Sequence, residues 1–141
     1  MNRLLIGMFL CLPMKHWSLS SAYGYRVHPV NGLYSLHNGI DLRSNSDTVF
    51  AVLSGTVQAV GYGPVSGVYI RIDHGDFQSA YGHLSRAFVM PRDAVSKGNP
   101  IGITGATGRV TGEHLHFSMQ FRHRLIDPAA FMLSLIKLSN Q

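Results

Sequence analysis

From His114 onward the chain alternates without a break. His114, His116, Ser118 and Gln120 fall on one parity, and Leu115, Phe117, Met119 and Phe121 on the other. Successive side chains of a strand point to opposite faces, so the pattern predicts a half-buried β-strand. "GVYIRID" repeats it, with Val68, Ile70 and Ile72 against Tyr69, Arg71 and Asp73. "FQSAYGHLS" predicts another strand, ending near His83, and "TVFAVLSGTVQAVG" predicts two strands joined as a hairpin at Ser54-Gly55. "AVSKGNPIGITGATGRVTG" spaces its glycines as tight corners between short strands require. Upstream, "SLSSAYGYRVHPVNGLYSLHNGIDLRS" reads as turns around short extended pieces. Only "DPAAFMLSLIKL" reads as a helix, with Asp127 as N-cap, Pro128 at the first helical position and an end near Leu138. The expectation is a compact, mainly β core with one C-terminal helix.

Composition narrows this little, but charge and the N-terminus add to it. At 141 residues, 45% hydrophobic and 13% charged, the chain is the size of one folded domain. The net charge of +5 suits an anionic partner or surroundings. Its basic residues are scattered and form no nucleic-acid motif, so no nucleic-acid partner is expected. "MNRLLIGMFLCLP" sets Arg3 before an apolar run from Leu4 to Leu12, too short to span a bilayer but the length of a secretory h-region. Residues 1–17 therefore read as a signal peptide or short membrane-proximal leader, and 18–141 as the domain proper. The protein is expected to be exported, to the periplasm, cell envelope or exterior, without a stable membrane span. Cys11, the single cysteine, lies in the leader, which leaves packing or a metal to stabilise the rest.

Eight histidines stand out against so few charges. His16 and His123 have polar or irregular neighbours and read as surface residues. His28 precedes a proline in a turn and His74 ends a strand, which favours local structural roles. The other four differ in kind. "HNGID" sets His37 and Asp41 four apart; the Asn-Gly pair argues against a helix, and a turn leading into strand Ile40–Arg43 can aim both side chains into one pocket. Imidazole and carboxylate are good Zn²⁺ ligands, but two do not hold a metal tightly. In "HLH" the histidines share a strand face about 6.5–7 Å apart, so one can ligate while the other sits over a bound water. His83, in "YGHLS", is free to approach from across the sheet. Three protein ligands leave zinc a position for water, whose pKa it lowers towards about 7. Neighbouring histidines can move protons near neutral pH.

Taken in order, "SAYGYRVHPVNG", "HNGIDL", "FAVLSGTV", "YGHLS", "IGITGATGRVTGEHLHFSM" and "IDP" resemble the lysostaphin/LytM-type zinc peptidases, peptidase family M23, from about Ser20 to Pro128. The resemblance implies that His37, Asp41 and His116 bind Zn²⁺ and that His83 and His114 are catalytic. It implies a mainly β fold, a small antiparallel β-sheet or sandwich domain, with an active-site groove across the metal site. The implied activity is endopeptidase cleavage of bacterial cell-wall peptidoglycan, in the stem-peptide cross-link or an interpeptide bridge. Separately, the chain is expected to be a monomer. Ser118 departs from the pattern, standing where many relatives carry Glu. The rival reading is a non-catalytic relative that binds and activates other wall hydrolases; such proteins have lost zinc ligands, and here the set is complete. A lipoyl-like carrier domain would share the "FAVLSGTVQAVG" type of hairpin but accounts for neither "HNGID" nor "HLH".

Overall fold

The computed structural model describes residues 11–139. The chain begins with β1 (Leu19–Ser21), β2 (Gly24–Val27), β3 (Tyr34–His37), β4 (Ile40–Arg43) and β5 (Thr48–Phe50). There follow β6 (Gly55–Gly63), β7 (Gly67–Asp73), β8 (Phe77–Ala87), β9 (Ala94–Val95) and β10 (Pro100–Thr104). It closes with β11 (His114–Phe121), β12 (Arg124–Ile126) and one helix, α1 (Pro128–Ser139). Ten strands form one sheet whose main path runs β1-β4-β11-β8-β7-β6-β9, and β2 and β3 pair apart from it. Every pairing is antiparallel. The mainly β fold expected from the alternation, and the antiparallel sheet that the resemblance implies, are those observed.

Strand β11 alternates as its sequence does: Leu115, Phe117 and Met119 are fully buried, while His114, His116 and Ser118 are half-buried on the other face. The buried parity joins Ile40 and Leu42 of β4, Ile70 and Ile72 of β7, and Tyr81 and Leu84 of β8 in a single apolar core. The helix starts as its sequence dictates, with the Ala129 amide donating to Asp127 Oδ1 at 3.0 Å. Residues 1–10 of the expected leader lie outside the described residues. The rest of it packs: Met14 is in the core, Leu12 lies against it, and the Phe50 amide donates to the Pro13 carbonyl at 2.8 Å. The packed unit thus reaches back ahead of the boundary expected at Ser18.

Two expectations are corrected. The strands flanking Ser54-Gly55 do not form a hairpin: β5 pairs with β10, and β6 pairs with β7 and β9. Gly55 serves close approach instead, since a Cβ there would lie 2.2 Å from the Asp73 carbonyl oxygen. Strand β8 also does not end near His83 but continues to Ala87. It passes His83 by a bulge, because Val68 and Ile70 of β7 face Leu84 and Tyr81, leaving one extra residue on β8.

His74 has the structural role expected of it. Its Nδ1–H donates to the Ser54 carbonyl at 2.9 Å, and its Nε2 meets Ser79 Oγ at 2.8 Å. Ser79 is in turn 2.9 Å from the Tyr81 hydroxyl, which accepts from the Val52 amide at 3.2 Å. Burial pushes the His74 pKa below its ordinary value, more than the Ser54 hydrogen bond and the Asp73 charge raise it. The folded state thus resists a proton that the unfolded imidazole accepts near pH 6.5. This contribution to stability is intact above that pH and is lost as pH falls below it. The metal-free protein should therefore melt at a lower temperature at pH 5 than at pH 7.5, and His74→Gln should show a smaller drop. Equal drops in thermal melts of the two proteins would contradict this.

Candidate metal centre and active site

Three adjacent strands and one hairpin bring the histidines together. In the register of β4 with β11, His116 lies opposite Asp41 and His114 opposite Arg43. Across β11, His116 also faces Gly82 of β8, one residue before the bulged His83. His83 has a φ of 60°, a left-handed conformation uncommon for a residue with a Cβ, and its amide donates to the Ser66 carbonyl at 2.7 Å. A bulge re-aims a side chain, and here the His83 ring lies 4.8 Å from the His114 ring and 5.9 Å from that of His116. His37, last in β3, comes from the separate hairpin and lies 5.1 Å from the His116 ring.

Asp41 is the hub. Its Oδ1 is 3.0 Å from His116 Nδ1, 3.3 Å from His37 Nε2 and 3.4 Å from His114 Nε2. Burial alone would raise its pKa, but hydrogen bonds from His116 and His37 and the charges of His114 and His116 hold it well below the usual carboxylate range. His37, Asp41 and His116 each offer one ligand atom, all within 4.8 Å of one another. A tetrahedral zinc site with bonds of about 2.0–2.1 Å sets its ligand atoms about 3.3–3.4 Å apart. The 3.3 Å and 3.0 Å contacts to Asp41 come near that spacing without rearrangement.

Each imidazole is also fixed from behind. His37 Nδ1–H donates to the Ala22 carbonyl at 2.9 Å, and His116 Nε2–H donates to Asn38 Oδ1 at 2.8 Å. His83 Nδ1–H donates to the Thr107 carbonyl at 2.7 Å, and His114 Nδ1–H to the Gly112 carbonyl at 3.0 Å. These oxygens can accept from the anchored nitrogen, so the opposite nitrogen of His37 and of His116 is the one turned to Asp41. The proton that this nitrogen shares with the carboxylate is the one a metal would displace. Burial, aided by His114 and His116 and against the Thr107 hydrogen bond and the Asp41 charge, lowers the His83 pKa to about 4. His83 is thus a neutral acceptor at pH 7.

All five residues line one cavity of about 590 Å³. The remaining histidines lie elsewhere in role: His28 Nδ1 accepts the Val30 amide at 3.1 Å within its turn, and His16 pairs with Asp47 at 3.0 Å on the surface. Sequence reasoning missed Asn38 and Thr107. Asn38 read only as half of an Asn-Gly turn. Thr107 acts through its backbone carbonyl, which carries no side-chain signal.

An antiparallel sheet carrying a His-Asp-His cluster that could hold a metal ion defines a small β domain with a candidate metal centre. The chain belongs to peptidase family M23, whose family model matches residues 35–128. It is 38% identical over 114 residues to the peptidoglycan DD-endopeptidase ShyA of Vibrio cholerae, a match covering 79% of this chain and 26% of that protein. The chain thus spans about a quarter of that relative's length. A zinc-containing peptidase from Vibrio cholerae superposes with a TM-score of 0.74 at 32% identity, over 89% of this chain and 38% of the other. The catalytic domain of lysostaphin from Staphylococcus simulans superposes with a TM-score of 0.75 at 30% identity, over 83% of this chain and 92% of that domain.

Proposed function

We propose that the chain is a zinc-dependent endopeptidase of bacterial peptidoglycan, acting in the cell envelope or outside the cell. The observation that carries the proposal is the convergence of two imidazole nitrogens and one carboxylate within 4.8 Å. His37 Nε2, His116 Nδ1 and Asp41 would hold the metal. When bound, zinc supplies a Lewis acid that acidifies water and polarises a peptide carbonyl.

The chain's own groups supply the rest. Asp41 stays ionised throughout the physiological range and so keeps an anionic ligand available. His83, neutral with its Nε2 lone pair free, accepts the proton of the attacking water. His114, its Nε2 3.4 Å from Asp41 Oδ1, stands on the other side of the same proton path. Between them the two imidazoles return a proton to the leaving amine nitrogen. The Ala22 and Asn38 oxygens hold the ligand rings in place, so little reorganisation accompanies substrate entry.

Metal analysis of the purified chain, with digestion of isolated sacculi followed by mass spectrometry, tests this. About one zinc per chain and chelator-sensitive release of cleaved muropeptides are expected. Protein without zinc, or digestion indifferent to a chelator, would sink the reading. Zinc-loaded protein that leaves sacculi intact would favour a non-catalytic module.

A further inference from the structure

The cavity holds positive charge that the chemistry above leaves unused. Strand β2 alternates, with Gly24 and Arg26 half-buried and Tyr25 and Val27 exposed. This parity places Arg26 among the residues lining the cavity, together with its cross-strand neighbour Ser35. Arg26 Nε is buried and has no hydrogen-bond partner among the described residues. None of the ion pairs among the described residues includes Arg26. A guanidinium does not shed its proton, so burial cannot be relieved by neutralisation.

Arg109 reaches the same cavity from the loop between β10 and β11, where its amide is held by the Val65 carbonyl at 2.9 Å. Among the described residues the only carboxylate lining the cavity is Asp41, whose near oxygen already faces three imidazoles. No carboxylate among the described residues lining the cavity is left for Arg26, so an anion there would arrive with a ligand. A planar fork of N–H donors matches a carboxylate in shape as well as charge.

We infer that Arg26, with Arg109 lining the same cavity, forms a subsite for a carboxylate of the bound peptide, so that the preferred substrate is an anionic peptide. This rests on the peptidase reading above and adds a substrate class to it. The carboxylate has two sources, an acidic side chain or the peptide's own C-terminus, and both present the same group to the guanidinium.

Three versions of one peptide separate the possibilities: both carboxylates free, the side chain amidated, or the C-terminus amidated. Binding is measured by calorimetry on the full metal-free chain, and kcat and KM on the zinc-loaded chain. A hydrogen-bonded charge contributes roughly ten- to hundredfold in affinity. One of the two amidations should therefore weaken wild-type binding by about that factor, with the loss falling on KM. The amidation that does so identifies the source. In Arg26→Gln the ratio between free and amidated peptides should collapse to within about threefold, while Arg26→Lys, which keeps the charge but not the fork, should leave an intermediate ratio. If the glutamine variant does not fold, the wild-type and lysine ratios still decide. Equal wild-type binding of all three peptides overturns the subsite whatever the turnover. Charge-dependent binding without cleavage would sink the peptidase reading and leave the subsite standing.

Discussion

Replacing His116 by alanine should abolish stoichiometric zinc uptake, whereas replacing His114 should leave the metal in place and lower turnover by about 10²–10⁴-fold. The two residues stand one leucine apart on the same face of β11, so any effect on strand stability should be similar for both. What separates them is which nitrogen is left free and where it points. His116 offers Nδ1 at 3.0 Å from Asp41 Oδ1, and its Nε2 is engaged by Asn38. Among the described residues it is His116, not His114, that shares the 4.8 Å cluster with His37 and Asp41. Removing it leaves two ligands, too few to hold zinc tightly. His114 stands beside His83, with ring centres 4.8 Å apart, where a proton can pass. Zinc content, thermal melts and kcat on one muropeptide check the division, with His83→Ala expected to behave as His114→Ala does. Asn38→Ala should keep the fold and weaken zinc affinity by about 10–100-fold, the usual loss for an outer partner of a metal-bound histidine. Equal metal loss in His114→Ala and His116→Ala would show that the pair is not divided in this way.

Much of this arrangement was legible in the residues, because the signals are local. The parity of β11 follows from alternation alone, and the start of α1 follows from Asp127 and Pro128. The spacing of His37 and Asp41 pointed to a shared pocket once a helix was excluded. What stayed hidden depends on which strands pair and in what register. The strands on either side of Ser54-Gly55 look like hairpin partners, yet each finds a better neighbour elsewhere: β5 joins β10, and β6 joins β7. The bulge at His83 is invisible because it arises from a mismatch in length between β7 and β8, not from a glycine or proline at that position. The cavity charge of Arg26 was equally hidden, since "GYRV" gives no hint of which parity faces inward.

Gly39→Ala should cost a second large loss, in both stability and metal affinity, although it touches no ligand. The Asn-Gly pair reads as a turn that needs glycine's backbone freedom, but Gly39 is not among the glycines with positive φ. Its constraint is space. A Cβ there would lie 2.4 Å from the Phe117 carbonyl oxygen and 2.9 Å from Ser118 Cβ. The nearest obstacle is backbone in the middle of β11, so no side chain can swing aside to relieve it. Either β4 separates from β11 or the segment carrying His37 and Asn38 is pushed away from the sheet. The first breaks the pairing of Asp41 with His116, and the second withdraws His37 and the oxygen that orients His116. Overpacking of this kind costs about 1–3 kcal/mol or more. A fall in the thermal midpoint of the metal-free protein, together with weaker zinc binding in the fraction that folds, is the expected result. Because no metal ligand is altered, a Gly39→Ala protein with wild-type melting and zinc affinity would mean that β4 and β11 do not approach this closely.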